Sequence, residues 1–263
     1  MSSFREDLLQ GQVALVTGGG SGICAGIAVA LAAHGARVAI TGRTQAKLDA
    51  VAQQIAAAGG ECLAVAADVR RPEALAAVMT AIEGRWGQLD VLVNGAAGNF
   101  LAPAAALSTN GFGTVIDIDL KGTFNSCKAA LPLLERRGGV VINISATLHY
   151  GGTPLQVHAV SAKAGIDAMT RTLAIEWGPL QIRVNAIAPG PIAGTEGMER
   201  LAPGPLREKM TAQIPLRRFG TIEEIADAAL FVASPASAYM TGAVLVVDGG
   251  QWLTGTNFVA LAD

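Results

Sequence analysis

The sequence predicts an α/β fold, a doubly wound parallel sheet with helices packed on both faces. Two observations carry this. Short, wholly apolar runs alternate with alanine-rich stretches of helical character along the whole chain. The runs show no polar alternation, as expected of strands buried on both faces. In addition, the 263 residues contain no linker, internal repeat or low-complexity tract, so residues 1–263 read as a single domain with a sizeable core.

In chain order, Val13–Thr17 is the first apolar run and is followed by a glycine-rich turn and an alanine-rich helix over 26–33. A second strand over 37–41 leads to a helix over 45–58, then a third strand, Cys62–Ala66, leads to a helix over Pro72–Trp86. The remaining strands are expected at Val91–Asn94, 140–145, 182–187 and Val244–Val247, with long helices over 123–134 and 161–176. The stretch 194–213 differs, being rich in Gly, Pro, Arg and Glu after a strand, and is expected to be a substrate lid.

Composition narrows the function. Apolar residues make up 51% and charged residues 15%, and a net charge of −2 with no basic tract argues against nucleic-acid or anionic-membrane partners. Cys24, Cys62 and Cys127 have neither metal-ligand nor CxxC spacing, so no metal is expected and all three read as buried thiols in a reducing compartment. MSSFREDLLQGQ lacks a secretory apolar core, and no apolar run approaches the ~18 residues of a membrane span. The chain ends Ala-Leu-Ala-Asp rather than in a Ser-Lys-Leu-type address, so a soluble, cytoplasmic location is expected.

The turn Thr17-Gly18-Gly19-Gly20-Ser21-Gly22-Ile23-Cys24 lies between the first strand and the first helix. Glycines there let the chain turn tightly and bring backbone N–H groups against a pyrophosphate at a helix N-terminus. After the second strand no acid lies between Ala36 and Asp49, and Arg43 is available to pair with a 2′-phosphate, which favours NADP(H) over NAD(H).

With these motifs in place, the chain from Thr17 to Gly250 resembles the short-chain dehydrogenase/reductase family, which implies a Rossmann-type sheet. The resemblance implies cofactor contacts from Gly18, Gly20, Ser21, Gly22 and Ile23. It adds Asp68 and Val69 at the adenine, and Asn94, Ala96 and Lys163 at the riboses. Pro189, Gly190, Ile192 and Thr195 would lie near the nicotinamide carboxamide. The departures cluster at the chemistry. The family's Tyr-x-x-x-Lys falls on Ala159 and Lys163, its serine on Ala146 and its asparagine on Asp119. Alanine cannot exchange a proton with an alcohol or carbonyl oxygen.

Asn94-Gly-Ala-Ala-Gly-Asn99-Phe100, Asn143-Ile-Ser-Ala-Thr-Leu148, Gln156-Val-His-Ala-Val-Ser-Ala-Lys163 and Ala188-Pro-Gly-Pro-Ile-Ala-Gly-Thr195 together resemble the 2,4-dienoyl-CoA reductases of the peroxisomal type. The mitochondrial type has a tyrosine where this chain has Leu148. A bacterial relative of the peroxisomal branch is expected. That chemistry adds hydride at C5 and a proton at Cα, makes no alcohol, and so needs no phenol.

Asp167, four residues after Lys163 on one helix face, is the candidate at the proton end, with an i,i+4 salt bridge to Lys163 as the structural alternative. Asn99 is expected to polarise the thioester oxygen, Phe100 to pack on the acyl chain, and Asp119 to position water or Lys163. Arg43, Arg70, Ser108 and Arg200 are candidate contacts for the CoA head group, whose phosphates suit arginine. His158 and Tyr150 read as packing residues. Two other functions stay open: a reductase of another conjugated or carbonyl substrate that recruits Tyr150 or His158, and a catalytically silent NADP-binding protein. The resemblance also implies a homotetramer built on the helices over 123–134 and 161–176.

Overall fold

The computed structural model describes residues 4–201 and 204–256. Seven parallel strands form one sheet: β1 (Val13–Thr17), β2 (Arg37–Gly42), β3 (Cys62–Ala66), β4 (Val91–Asn94), β5 (Gly139–Ile144), β6 (Ile182–Pro189) and β7 (Val244–Val247). Their order is β3-β2-β1-β4-β5-β6-β7. The first three strands build outward in one direction, and the chain then returns to place β4 beside β1. This reversal opens a crevice at the C-terminal ends of β1 and β4, where ligands bind in open α/β sheets.

The helices are α1 (Gly22–Ala33), α2 (Gln45–Ala57), α3 (Pro72–Trp86), α4 (Thr109–Ile116), α5 (Gly122–Leu134), α6 (Leu148–Gly151), α7 (Val157–Trp177), α8 (Glu196–Leu201), α9 (Pro205–Gln213) and α10 (Ile222–Ala233). They cover both faces of the sheet. Successive residues of a strand point to opposite faces, so in the fully buried β1 the side chains of Ala14 and Val16 join one core. Val13 and Leu15 join the other. The first core lies under α1, α2 and α10, and the second under α3, α5 and α7.

Strand positions agree with the sequence expectation, and the differences have local causes. Helix α1 starts at Gly22 and α7 at Val157, each four residues before the apolar pattern alone suggested, so Ala159 is helical. Ser145 lies just past β5, its N–H donating to the Ile187 carbonyl at 2.7 Å. Cys62 corrects the expectation of three buried thiols: it is only partly buried, because β3 is the edge strand, whereas Cys24 and Cys127 are buried, and all three are free. The stretch 194–213 carries α8 and α9. No helix among the described residues is long and apolar enough to cross a membrane.

Candidate active site

A cavity of about 950 Å³ opens at the crevice between β1 and β4. Its floor is the glycine-rich turn. Gly18 and Gly22 adopt left-handed backbone (φ 73° and 56°), and a Cβ on Gly18 would come within 2.9 Å of the Ala96 backbone nitrogen. Thr17 at the end of β1 holds the opposing loop, its Oγ1 accepting from the N–H groups of Gly95 and Ala96 at 3.0 and 3.3 Å. Ser21 makes no side-chain cap on α1 and no acid lies in the first turn, so the first N–H groups of this helix are left for an anion. A backbone cradle at a twelve-residue helix fits a dinucleotide pyrophosphate.

Cys24 occupies the last glycine position of the motif and is buried. Its thiol packs against Gly95, where a Cβ would overlap Cys24 Sγ, and burial pushes its pKa up to about 12. The helix therefore accommodates the larger residue through a glycine on the facing loop.

At the far end of the cavity Arg43 stands just past β2, which carries no acid, and Asp68 after β3 lies near enough to interact with it electrostatically. Asp68 is held by Arg70 through several hydrogen bonds, one of 2.5 Å, and this pairing pulls its pKa down to about 2. Arg70 thus faces Asp68 and does not line the cavity. Asn94 is buried as well. Its Nδ2 donates to Asn143 Oδ1 at 2.9 Å, so its side chain ties β4 to β5 instead of facing the crevice. Ser108 caps α4, accepting from Gly111 N–H at 3.0 Å, and lies outside the cavity. Val69, Ala96, Pro189, Gly190, Ile192 and Thr195 do line it.

The reacting end is built where β4, β5 and α7 meet. Lys163 is buried, and its Nζ donates to the Ile144 carbonyl at 2.9 Å and lies 3.4 Å from Asp119 Oδ2. Asp119 sits in a π-helical turn, Asp117–Lys121, between α4 and α5, and its Oδ1 accepts from Gly98 N–H at 2.7 Å. Burial raises its pKa, opposed by Lys163. A π-turn widens the helix and re-aims a side chain, and such turns recur at functional sites. Asn99 lines the cavity and donates one amide hydrogen to Gln156 Oε1 at 2.5 Å, leaving the second free for a ligand oxygen. Phe100 lies edge-on to His158, with centroids 4.3 Å apart. Ala146 and Ala159 line the same wall and present only methyl groups.

For Asp167 the structure corrects the salt-bridge alternative. This residue makes no pair with Lys163 and does not line the cavity. Buried at 2% exposure, it accepts from Ser145 Oγ at 2.5 Å on Oδ1 and pairs with His149 Nε2 at 2.9 Å on Oδ2. Neither Ser145 nor His149 was a candidate from the sequence. Three-dimensional packing of α6 on α7 brings them to Asp167, and no sequence spacing encodes that. His158, by contrast, is a packing residue: it is fully buried, and its Nδ1 accepts from Ala159 N–H at 2.8 Å. Tyr150 stacks edge-on with His149 and with Trp252. Arg200 and Glu196 of α8 line the cavity mouth, with Glu196 bridged to Lys47 of α2 at 2.5 Å.

A family model described as enoyl-(acyl carrier protein) reductase matches residues 18–251. The chain is 52% identical to a peroxisomal 2,4-dienoyl-CoA reductase [(3E)-enoyl-CoA-producing] of Pongo abelii, over 99% of this chain and 90% of that one. It is 47% identical to the protein of the same name in Arabidopsis thaliana, over 96% and 88%. Among solved structures, a short chain dehydrogenase from Bacillus anthracis superposes with a TM-score of 0.85 at 41% identity, covering 92% of this chain and 97% of that one.

Proposed function

From the premise that the chain belongs to the short-chain dehydrogenase/reductase family, we propose that it is an NADPH-dependent reductase of 2,4-dienoyl-CoA thioesters acting in the oxidation of unsaturated fatty acids. The observation that carries this is the pair of alanines, Ala146 and Ala159, beside Lys163 in the cavity wall. The site has kept its cofactor lysine and lost the hydroxyl groups that exchange protons with an alcohol. The identity with the peroxisomal reductases, 46–52% over nearly the full length, supports the same reading.

When bound, the nicotinamide supplies the hydride that adds at C5 of the dienoyl chain. The chain's own residues do the rest. The glycine turn and the N-terminus of α1 hold the pyrophosphate, and Arg43 pairs with the 2′-phosphate that distinguishes NADPH. Lys163, fixed by the Ile144 carbonyl and Asp119, holds the nicotinamide ribose and lends positive charge. Asn99 donates its free amide hydrogen to the thioester oxygen as charge develops there. The acyl chain packs on Phe100, and the 194–213 segment, with Arg200 at the mouth, closes over the CoA phosphates as a lid. The dienolate is protonated at Cα, giving a 3-enoyl-CoA.

Phe124 on α5 and Ile175 on α7 are exposed apolar side chains, 49% and 79%, and they support a homotetramer through these helices. The three free thiols suit a reducing compartment. We place the protein in the cytoplasm, although the relatives' names say peroxisomal.

Mass spectrometry of the product from a 2,4-dienoyl-CoA and NADPH tests the function. Deuterated water should label Cα and NADPH deuterated at the transferred position should label C5. A 2-enoyl product, or label at any other carbon, would overturn the reading.

A further inference from the structure

We infer that Gln156 is a positioning residue for Asn99, holding the amide nitrogen of that side chain for the thioester oxygen as charge develops there. This deepens the dienoyl-CoA reading above and rests on it.

Gln156 is poorly matched to its local place. It is the N-cap of α7, a position that favours Ser, Thr, Asp or Asn, whose short side chains reach the N–H groups of the second and third helical residues. The glutamine makes no such bond. The N–H of Ala159, the third helical residue, donates instead to His158 Nδ1 at 2.8 Å. The residue before the cap is no better suited to its own place. Leu155 adopts left-handed backbone, φ 65°, which favours glycine, and its apolar side chain is exposed. Two adjacent residues thus run against local preference, and such conflicts cluster at functional sites.

Both residues hold the loop after β4. The Leu155 carbonyl accepts from Ala102 N–H at 2.9 Å, and Gln156 Oε1 accepts from Asn99 Nδ2 at 2.5 Å. His158 adds its edge-on contact with Phe100. Residues 99–102 are therefore laid against residues 155–158 by three contacts, none of which belongs to a helix or a strand ladder.

Asn99 needs this support more than its neighbours on the reacting wall. Lys163 and Asp119 are buried, and each is bonded to a backbone group. Asn99 is exposed and lies in a stretch without regular secondary structure, so its amide turns freely unless a partner fixes it. Gln156, at 9% exposure, is that partner. Its Oε1 can only accept, so the group it holds is the amide nitrogen. Asn99 Oδ1 is thereby kept from turning toward the thioester oxygen, where it would repel the developing charge. The second hydrogen on the same nitrogen is left for the ligand. A donor lowers a barrier only where it is aimed in advance, and aiming is the work of the shell behind it.

The test is a double-mutant cycle in the full-length enzyme with dienoyl-CoA and NADPH: wild type, Gln156→Met, Asn99→Ala and the double variant. Methionine keeps the length of glutamine without the acceptor. Asn99→Ala removes one oxyanion donor and should lower kcat roughly 10²-fold. Gln156→Met should lower kcat roughly tenfold, because the amide is then correctly placed for only part of the time. KM for dienoyl-CoA and NADPH affinity should stay within about twofold. In the Asn99→Ala background, Gln156→Met should change kcat by less than about twofold, since the group it acts through is gone. Gln156→Ala gives a second reading of the same cycle if Gln156→Met loses NADPH binding and so proves misfolded. An unchanged kcat in Gln156→Met, or the same loss with and without Asn99, would overturn the assignment while leaving the reductase reading intact. If the wild type fails to reduce dienoyl-CoA, the reductase reading falls and the assignment falls with it.

Discussion

Arg43 and Asp167 show what single residues decide. A hydrogen-bonded charge pair contributes roughly 1.5–3 kcal/mol, about ten- to a hundredfold in affinity. Wild-type protein should therefore bind NADPH at least about tenfold more tightly than NADH, and Arg43→Ala should remove most of that difference in a titration of cofactor fluorescence. Equal affinities in the wild type would refute the assignment. Asp167→Asn keeps the side-chain volume but cannot take or give the proton, so turnover of a dienoyl-CoA should drop roughly 10²–10⁴-fold. NADPH affinity should be unchanged, because Asp167 lies outside the cavity. Lys163→Ala should lose cofactor binding and turnover together. The sequence made Lys163 and Asp167 legible as neighbours on one helix face, yet each turned to a different partner. Lys163 reaches the end of β5 and the π-helical turn, whereas Asp167 reaches Ser145 and α6. Helical spacing fixes proximity, and tertiary packing chooses the partner.

Elements fit through small details that can be tested by stability. Helices α1 and α10 pack at Gly26, where a Cβ would overlap Ile222 Cγ2. Ile222 is β-branched and stiff at χ1, so it cannot swing away cheaply. Gly26→Ala should destabilise by about 1–3 kcal/mol from overpacking, less up to ~1 kcal/mol of gained helix propensity, as read by urea unfolding. Pairing it with Ile222→Ala should relieve the overlap. At the start of α10, Thr221 and Glu224 form a reciprocal capping box, and Thr221→Ala should cost about 1 kcal/mol. Arg218, with the Thr221 N–H, holds Glu224 down to about 2. A lowered pKa stabilises the fold above the usual glutamate range, and the gain is lost as pH falls through about 2. Glu224→Gln should therefore unfold more readily than wild type at neutral pH, by a small margin because the pair is exposed, and the difference should close on acidification. Strands were readable as apolar runs because both faces of this sheet are covered. The edge position of β3, which leaves Cys62 partly exposed, was not, since strand order is a long-range property.

At the scale of the whole molecule, the reversal of strand order between β1 and β4 sets one crevice in which cofactor and substrate must meet. Asn99, Asp119, Ser145 and Lys163 put polar groups on the reacting wall, and the two alanines there are inert. Simple ketones and secondary alcohols should react at negligible rates while a dienoyl-CoA consumes NADPH. Brisk alcohol oxidation that survives Tyr150→Phe and His158→Gln would contradict this account of the chemistry. The glycine turn, Arg43 and the missing tyrosine were legible because they are local. The π-helical turn under Asp119 and the short helix carrying His149 were not, because neither leaves a periodic signature in so few residues.

The buried thiol of Cys24 against Gly95 has a consequence for how this chain can vary. Gly95 has no room for a side chain while Cys24 stands, so the order of substitution matters. Gly95→Ala should be severely damaging in the present background and much milder once Cys24→Gly has made room. Reverting Cys24 first should cost little, leaving a small void. A lineage that acquired the cysteine therefore closed off side chains at Gly95, and a chimera that exchanges only the first thirty residues, or only the loop after β4, with a relative of the glycine type should fold less well than one that exchanges both.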